Sequence, residues 1–319
     1  MPSFILRRVL LSVITLVIIL VMITIIPNVA PGDPARKIAG GTASPERLAA
    51  VTASLGLDKS VGEQLVDAFS DTVRLDFGDS FTRPTSSVTS LVGTSLWNSV
   101  KLVSFSLLIL LPVSIFGGVV AAYKKDSLLD RAIVNIGAAL SSVPEFVAGV
   151  FMLALLAVPF SFFRVQANPP DGAGIFTQMR FLLLPALTVL TVYFGYIARV
   201  TRASTIEALE SDFVRTAFMK GLPTRTVFTK HVLRNSLLPT VAVVGTQLGY
   251  MFGGMVGLEL IFGYPGLGRL ILDANFSADY PTLRAGVLTV ALIYMLATLT
   301  SDLVIAWMNP RARLALGEG

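Results

Sequence analysis

Six continuous apolar runs mark the chain, centred on residues 9–28, 99–122, 132–160, 181–200, 237–258 and 285–307. Each is long enough for a helix to cross the ~30 Å hydrocarbon core of a bilayer, which takes about 20 apolar residues. None shows the short alternating pattern of a membrane β-strand. The pattern predicts an all-α integral membrane protein with six transmembrane helices. The first run follows Arg7 and Arg8, as a secretory signal would. It is longer than a signal core, and Ala30 is followed by Pro31 rather than by a cleavage site, so it is read as a retained helix.

The polar intervals carry their own pattern. Residues 31–95, between the first and second runs, hold eight Asp or Glu against six Lys or Arg and are too long for a connector. Within them SPERLAAVTASLG (44–56) has Ser44 to cap, Pro45 for the first helical position and Gly56 for the exit. It predicts a short helix with Leu48, Val51 and Leu55 on one face. VGEQLVDAFSDTVRLDFG (61–78) predicts a second, with Leu65, Phe69 and Val73 on its apolar face. The pair forms either a packed cap or a platform for a partner.

Composition agrees with the periodicity. Hydrophobic residues make up 54% of the 319, charged residues 14%, and mean hydropathy is +0.74, too apolar for a soluble domain. The net charge of +5 is explained by the bias of cytoplasmic loops toward Lys and Arg, and no nucleic-acid partner is expected. Without cysteine there is no disulfide, thiolate nucleophile or Cys metal site, and one histidine makes no cluster. With six spans, Arg7 and Arg8, Lys124, Lys125 and Arg131, the basic segment after the fourth run, and Arg311 and Arg313 all fall on one side. Both termini are therefore expected in the cytoplasm.

That basic segment, RTAFMKGLPTRTVFTKHVLRNSLLP (215–239), carries Arg215, Lys220, Arg225, Lys230, His231 and Arg234, with Arg202 upstream. Ile206, Leu209, Phe213, Ala217 and Phe218 recur at helical spacing, which predicts an amphipathic helix continuing out of the fourth span. Gly221, Leu222 and Pro223 break it, and a second short helix follows with Val227, His231 and Leu238. The predicted object is a helix-turn-helix knuckle. A lipid-binding segment would be wholly basic on its polar face, whereas Glu207, Glu210 and Asp212 interrupt this one. Docking to a protein fits better.

Elsewhere the signals are single residues. Glu145, beside Pro144 in the third run, is costly at membrane depth unless it faces water or a partner; a gate or cavity role competes with an interfacial position. Pro144 frees a backbone carbonyl that Ser141 or Ser142 can help satisfy. GGMVG (253–257) favours close helix packing over substrate contact. In ELIFGYPGLGRL (259–270), Tyr264, Pro265, Gly266 and Gly268 suggest a tight re-entrant or surface turn, with Glu259 at the mouth of the pathway.

Several stretches together resemble a known family. PGDP (31–34), LGLDK (55–59), LDFGDS (75–80), ARVTRAS (198–204), DFVRTAFMKGL (212–222), HVLRNSLLP (231–239), ELIFGYPGLGRLILDA (259–274), DYP (279–281) and NPRAR (309–313) occur in the order found in permease subunits of binding-protein-dependent ABC importers. The likeness is narrower to the B-type subunit of the dipeptide and oligopeptide branch, and it runs almost end to end. The general Glu-Ala-Ala motif is replaced here by Arg215, Thr216 and Ala217, the form of the peptide branch. Asn309 stands where Asp is usual, and Phe218 and Met219 are bulkier than the family pattern.

The resemblance implies a six-helix type I importer permease in the cell (inner) membrane, treated as one domain over 1–319. It has an extracytoplasmic insertion at 31–95 and a cytoplasmic coupling loop at 201–236. The implied partners are a homologous second permease, two ATP-binding cassette ATPases and an extracytoplasmic solute-binding protein. Arg215, Thr216, Ala217, Lys220, Gly221, Leu222, Pro223, His231, Arg234 and Asn235 would contact the ATPases, with Ala217 and Gly221 allowing close approach. Ser141, Pro144, Glu145 and Glu259 would line the path or gate, and the 264–268 turn would abut the binding protein. No cofactor is expected on this chain; ATP and Mg would be used by partner subunits. The chain also has no G-x(4)-G-K-[ST] phosphate loop. The solute would be a peptide, with nickel chelates, glutathione or another small solute as alternatives. An intramembrane enzyme lacks its constellation here, and an ion-coupled carrier would have no use for the knuckle.

Overall fold

The computed structural model describes residues 2–29, 32–170 and 172–308, with side chains for all of these except 2–5, 54 and 305–308. Ala30, Pro31 and the NPRAR stretch with Asn309, Arg311 and Arg313 lie outside the described residues. Every regular element among them is helical, and they divide into two compact units.

The first unit comprises residues 2–99 and 265–295. Helix α1 (Pro2–Val29) is followed by three short helices, α2 (Pro34–Ala39), α3 (Pro45–Ser54) and α4 (Val61–Arg74). Their starts are set locally. Asp33 accepts from the amides of Ala35 and Arg36, and Ser44 accepts from Arg47 ahead of Pro45. Ser60 and Glu63 form a reciprocal capping box, which holds the Glu63 carboxyl below its usual range. Gly56 takes φ +66 at the exit of α3, as its position predicts.

The apolar face of α4 is not the one the spacing suggested. Phe69 and Val73 are 53% and 68% exposed, whereas Ala68 is fully buried against Leu20 of α1 and Leu288. Gln64, also buried, exchanges hydrogen bonds with Asn28 at the end of α1. A small residue and an amide permit a close approach to α1 that Leu65, Phe69 and Val73 would prevent. Periodicity alone selects the larger side chains.

The remaining elements of this unit are the start of α5 (Val88–Tyr123), α12 (Leu267–Phe276) and the start of α13 (Tyr280–Met308). Ser99 Oγ accepts from the Leu267 amide and caps α12, while Asn98 donates to the Pro265 carbonyl. Asp279, in the DYP stretch, is buried. It accepts from Ser80 Oγ (2.5 Å), Thr82 Oγ1 (3.0 Å) and Thr282 Oγ1 (2.9 Å), so one carboxylate caps α13 and pins the 80–82 loop. Replacing it removes a cap and several charge-assisted bonds while stranding three hydroxyls. Asp279→Ala is therefore expected to cost ~3 kcal/mol or more. A thermal unfolding midpoint of the purified membrane protein equal to that of the wild type would refute this.

The second unit comprises residues 100–264 and 296–308. Its centre is α8 (Ile175–Leu209), whose most apolar stretch is 56% buried, against 11% for α1. Helices approach α8 through glycines. A Cβ on Gly118 would lie 2.5 Å from the Ala198 carbonyl, and Gly195 meets the backbone of Gly137 with no room for any side chain. Around these contacts pack Leu102, Leu184, Ile197, Met251, Leu258 and Phe262.

The third apolar run is not one helix. It forms α6 (Leu128–Ser141) and α7 (Glu145–Met152, continued by a π-helical turn at Leu153–Ala157), bent by 106° at Ser142–Pro144. Pro144 has no amide hydrogen and pushes Val143 out of helical geometry, so the chain turns and restarts. Counting this pair as one broken span, the described helices make six spans. The others are longer than their apolar cores. At 36 residues α5 is about 54 Å long at ~1.5 Å per residue, beginning eleven residues before the run that predicted it.

Candidate functional site

The segment after α8 forms a knuckle, in a different way from that predicted. Helix α8 stops at Leu209, and α9 (Asp212–Met219) starts afresh after Ser211. Helix α9 ends in a Schellman motif: Leu222 N–H donates to Ala217 O and Gly221 N–H to Phe218 O, with Gly221 at φ +73. Pro223 then precedes α10 (Thr224–Thr226), whose amides at Thr226 and Val227 bond the Pro223 carbonyl. The second helix is not separate from the fifth span. It runs through a π-helical turn (Val227–Val232) directly into α11 (Leu233–Ile261). The i→i+5 bonding brings Val227 and Val232 to one side, where they join Ala208, Val214 and Ala217 in a small core.

This core changes the roles expected of individual residues. Ala217 is 5% exposed and packs inside the knuckle, so it is not free for close approach by a partner. Gly221 faces open space, and its glycine is required by the left-handed turn rather than by a neighbour in this chain. Thr216 spends its hydroxyl on the Asp212 carbonyl, and Asn235 donates to the His231 carbonyl. Arg215, Lys220, Leu222, Pro223 and Arg234 are exposed, and His231 is half-buried. Phe213 and Phe218, predicted on the buried face, are outside with Met219, which is 79% exposed.

The base of the knuckle is braced by polar contacts that hydropathy could not show. Thr201 bonds Thr240 hydroxyl to hydroxyl (3.0 Å), and Ser204 Oγ donates to the Ser236 carbonyl (2.7 Å), joining α8 to α11. Arg202 grips Asp130 of α6 through two nitrogens (2.5 and 2.6 Å), with the carboxylate 2% exposed. Beside it Lys125 bonds Glu210 at 2.8 Å, which holds the lysine above its ordinary pKa. Arg202 is therefore a brace at the base of the knuckle. The available signal was Asp130, an acid beginning an otherwise apolar run behind Ser127.

The membrane-depth candidates fall into separate places. Glu145 begins α7 and accepts from Tyr193 Oη of α8 (2.7 Å), and its carboxylate lies over Gly254 of α11. Gly257 likewise faces Phe146, so two glycines of GGMVG serve packing within the chain. Ser142 Oγ donates to the Ala138 carbonyl, while the Leu140 carbonyl, four residues before Pro144, is taken by the Val143 amide. Ser141 Oγ, expected to assist, is buried without a hydrogen-bond partner. Glu259 is 0% exposed rather than open at a mouth. Tyr264 is buried with it, and burial, then the nearby Glu259 charge, push its phenol up. In the other unit Gly266 and Gly268 are buried and Pro265 is exposed. Among the described residues no three Asp, Glu or His converge as metal ligands.

Because Tyr193 donates to a carboxylate, Glu145→Gln exchanges a charge-assisted hydrogen bond for a neutral one and is expected to lower stability by ~1 kcal/mol. Thermal melting beside solute uptake checks this. Loss of uptake at full stability would show instead that the charge itself acts in the pathway.

The chain is thus a multi-pass α-helical membrane protein with a braced, exposed knuckle between α8 and α11. The comparisons name the class more closely. Residues 114–314 match the family model described as "Binding-protein-dependent transport system inner membrane component", and residues 1–115 match its N-terminal counterpart. The chain is 33% identical over 314 residues to "Probable peptide ABC transporter permease protein y4tP" of Sinorhizobium fredii, covering 98% of this chain and 100% of the relative. It is 32% identical over 319 residues to the glutathione transport system permease protein GsiC of Escherichia coli K12, covering 98% and 99%. The chain belongs to the family of binding-protein-dependent transport system inner membrane components. It is accordingly a permease subunit of an ABC importer, with the type I importer permease fold.

Proposed function

We propose that this permease forms half of the translocation path for di- or oligopeptides handed over by an extracytoplasmic binding protein. A homologous permease forms the other half, and two ATPases bind at the knuckle and hold the ATP and Mg. The knuckle and both termini face the cytoplasm, and the segment between α1 and α5 faces outward across the cell (inner) membrane. The positive charge of the knuckle end supports this orientation. One observation carries the reading: α9 buries its small residues and exposes Phe213, Phe218 and Met219 beside Arg215 and Lys220. That is the composition of a protein-docking patch, with apolar anchors and steering charge. The knuckle's second helix continues into α11, which is braced to α8, so a push on the knuckle moves whole spans.

The peptide assignment follows the name of the Sinorhizobium relative, and glutathione, itself a small peptide, follows the Escherichia relative. The test is uptake of a labelled dipeptide by proteoliposomes holding this permease with the ATPases and binding protein from its gene neighbourhood. ATP-dependent dipeptide uptake, insensitive to collapse of ion gradients, supports the reading. Uptake of glutathione alone moves the substrate to the second assignment. Uptake driven by an ion gradient without ATP overturns the importer mechanism for this chain.

A further inference from the structure

The first unit holds a half-open cavity of about 250 Å³ beside the last turns of α1, walled by the end of α3, α4, Phe81 and the start of α13. Its charged lining is balanced: Lys59 and Arg284 are set against Asp67 and Asp71, with Phe81 and Tyr280 completing the wall. Nothing in the coupling or packing described above accounts for this chamber.

Arg284 is its most demanding member. The side chain is 19% exposed, and its only ion pair among the described residues is a single contact to Asp71 at 3.3 Å. Its Nε is buried with no hydrogen-bond partner, and the guanidinium stands 6.0 Å from the Phe77 ring centre. A guanidinium has five donors in a planar fork, and burying it with even its Nε–H unmet is costly. Two oxygens of one carboxylate would satisfy the fork in a way that Asp71, reaching one nitrogen, does not. Lys59 is engaged with Asp67 at 2.6 Å, and Asp71 makes a single contact with the Arg284 fork.

We propose that this cavity binds a small zwitterionic solute of the amino-acid or short-peptide class, its carboxylate on Arg284 and its ammonium on Asp71. The two cations and two anions favour a neutral zwitterion over an anion or cation alone. The volume, below the ~300–1,000 Å³ of drug-sized sites, suits an occupant of about dipeptide size. The site is distinct from the knuckle, and it does not depend on which solute is transported.

The test needs neither ATP nor binding protein, so its failure is separable from failure of the import reading. The full-length permease, purified with its partner subunits in phosphatidylglycerol nanodiscs, is titrated calorimetrically with Ala-Ala, Ala-Ala amide and N-acetyl-Ala-Ala. Ala-Ala is expected to bind at least about tenfold more tightly than either blocked form, as loss of a charge-assisted pair requires. Arg284→Gln should erase the preference for acid over amide, and Asp71→Asn the preference for the free over the acetylated amine. Asp71 is partly exposed, so its variant remains informative if Arg284→Gln fails to fold. No binding by the wild type, or equal binding of the three ligands, would overturn the proposal.

Discussion

A Gly221→Asp permease is expected to reach the membrane in normal amount and to import solute at least about tenfold more slowly, with ATP hydrolysis uncoupled from uptake or the ATPases detached. The structure separates the internal cost from the external one. Gly221 holds φ +73 at the end of α9, a region Asp and Asn tolerate better than other L-residues, so the backbone penalty is ~1 kcal/mol. A Cβ placed there meets nothing within 4 Å in this chain. Any larger effect must come from whatever covers the turn, where a desolvated, unpaired carboxylate costs about 2–5 kcal/mol. Gly221→Asn shares the backbone cost without the charge and serves as the control. Measuring permease level, copurifying ATPase and uptake together decides the matter; Gly221→Asp vesicles with wild-type coupling would sink the docking assignment.

Gly195→Val should do the opposite, removing the protein rather than its coupling. Gly195 faces the backbone of Gly137 where α8 crosses α6, and the obstacle is main chain, which cannot rotate away. Overpacking in a core usually costs ~1–3 kcal/mol by moving side chains. Here a helix must shift, and with it the Arg202–Asp130 pair that fixes α6 to α8. We expect little folded permease in membranes, with Gly195→Ala intermediate. Gly195→Val protein accumulating and melting like the wild type would refute the crossing. The two substitutions replace glycines only 26 positions apart, yet one is expected to leave protein without transport and the other no protein.

Much of this architecture was legible in the chain. The apolar runs gave the helical membrane class, Ser44–Pro45 gave the start of α3, and Gly221–Pro223 gave the break in the knuckle, because these signals act within a few residues. Errors came where two local rules competed or where a neighbour decided. Apolar spacing placed Phe213 and Phe218 inside, but the space between α9 and the π-helical turn admits only Val214 and Ala217. The same spacing chose Phe69 and Val73 for the packed face of α4, which instead offers Gln64 and Ala68 to α1. Hydropathy averaged over Pro144 and read one unbroken helix where the backbone bends by 106°.

The candidate site divides in the same way. That residues 215–235 form an exposed, interrupted helical element follows from glycine, proline and charge along the sequence. Which of its side chains face outward, and what anchors it, depends on partners distant in the chain. Arg202 meets Asp130, Thr201 meets Thr240, and Glu145 meets Tyr193 over Gly254, pairs separated by 72, 39 and 48 positions.

By itself, then, the sequence determined what water and lipid demand of each segment: helices where the backbone must satisfy its own hydrogen bonds, and turns where glycine or proline forbids them. Tertiary structure decided which faces meet, because within lipid a polar hydroxyl, a glycine or a buried ion pair gains its value only from the group opposite it. The Arg284 cavity belongs wholly to this second kind, since Lys59, Asp67, Asp71 and Arg284 become one site only when α4 and α13 are side by side.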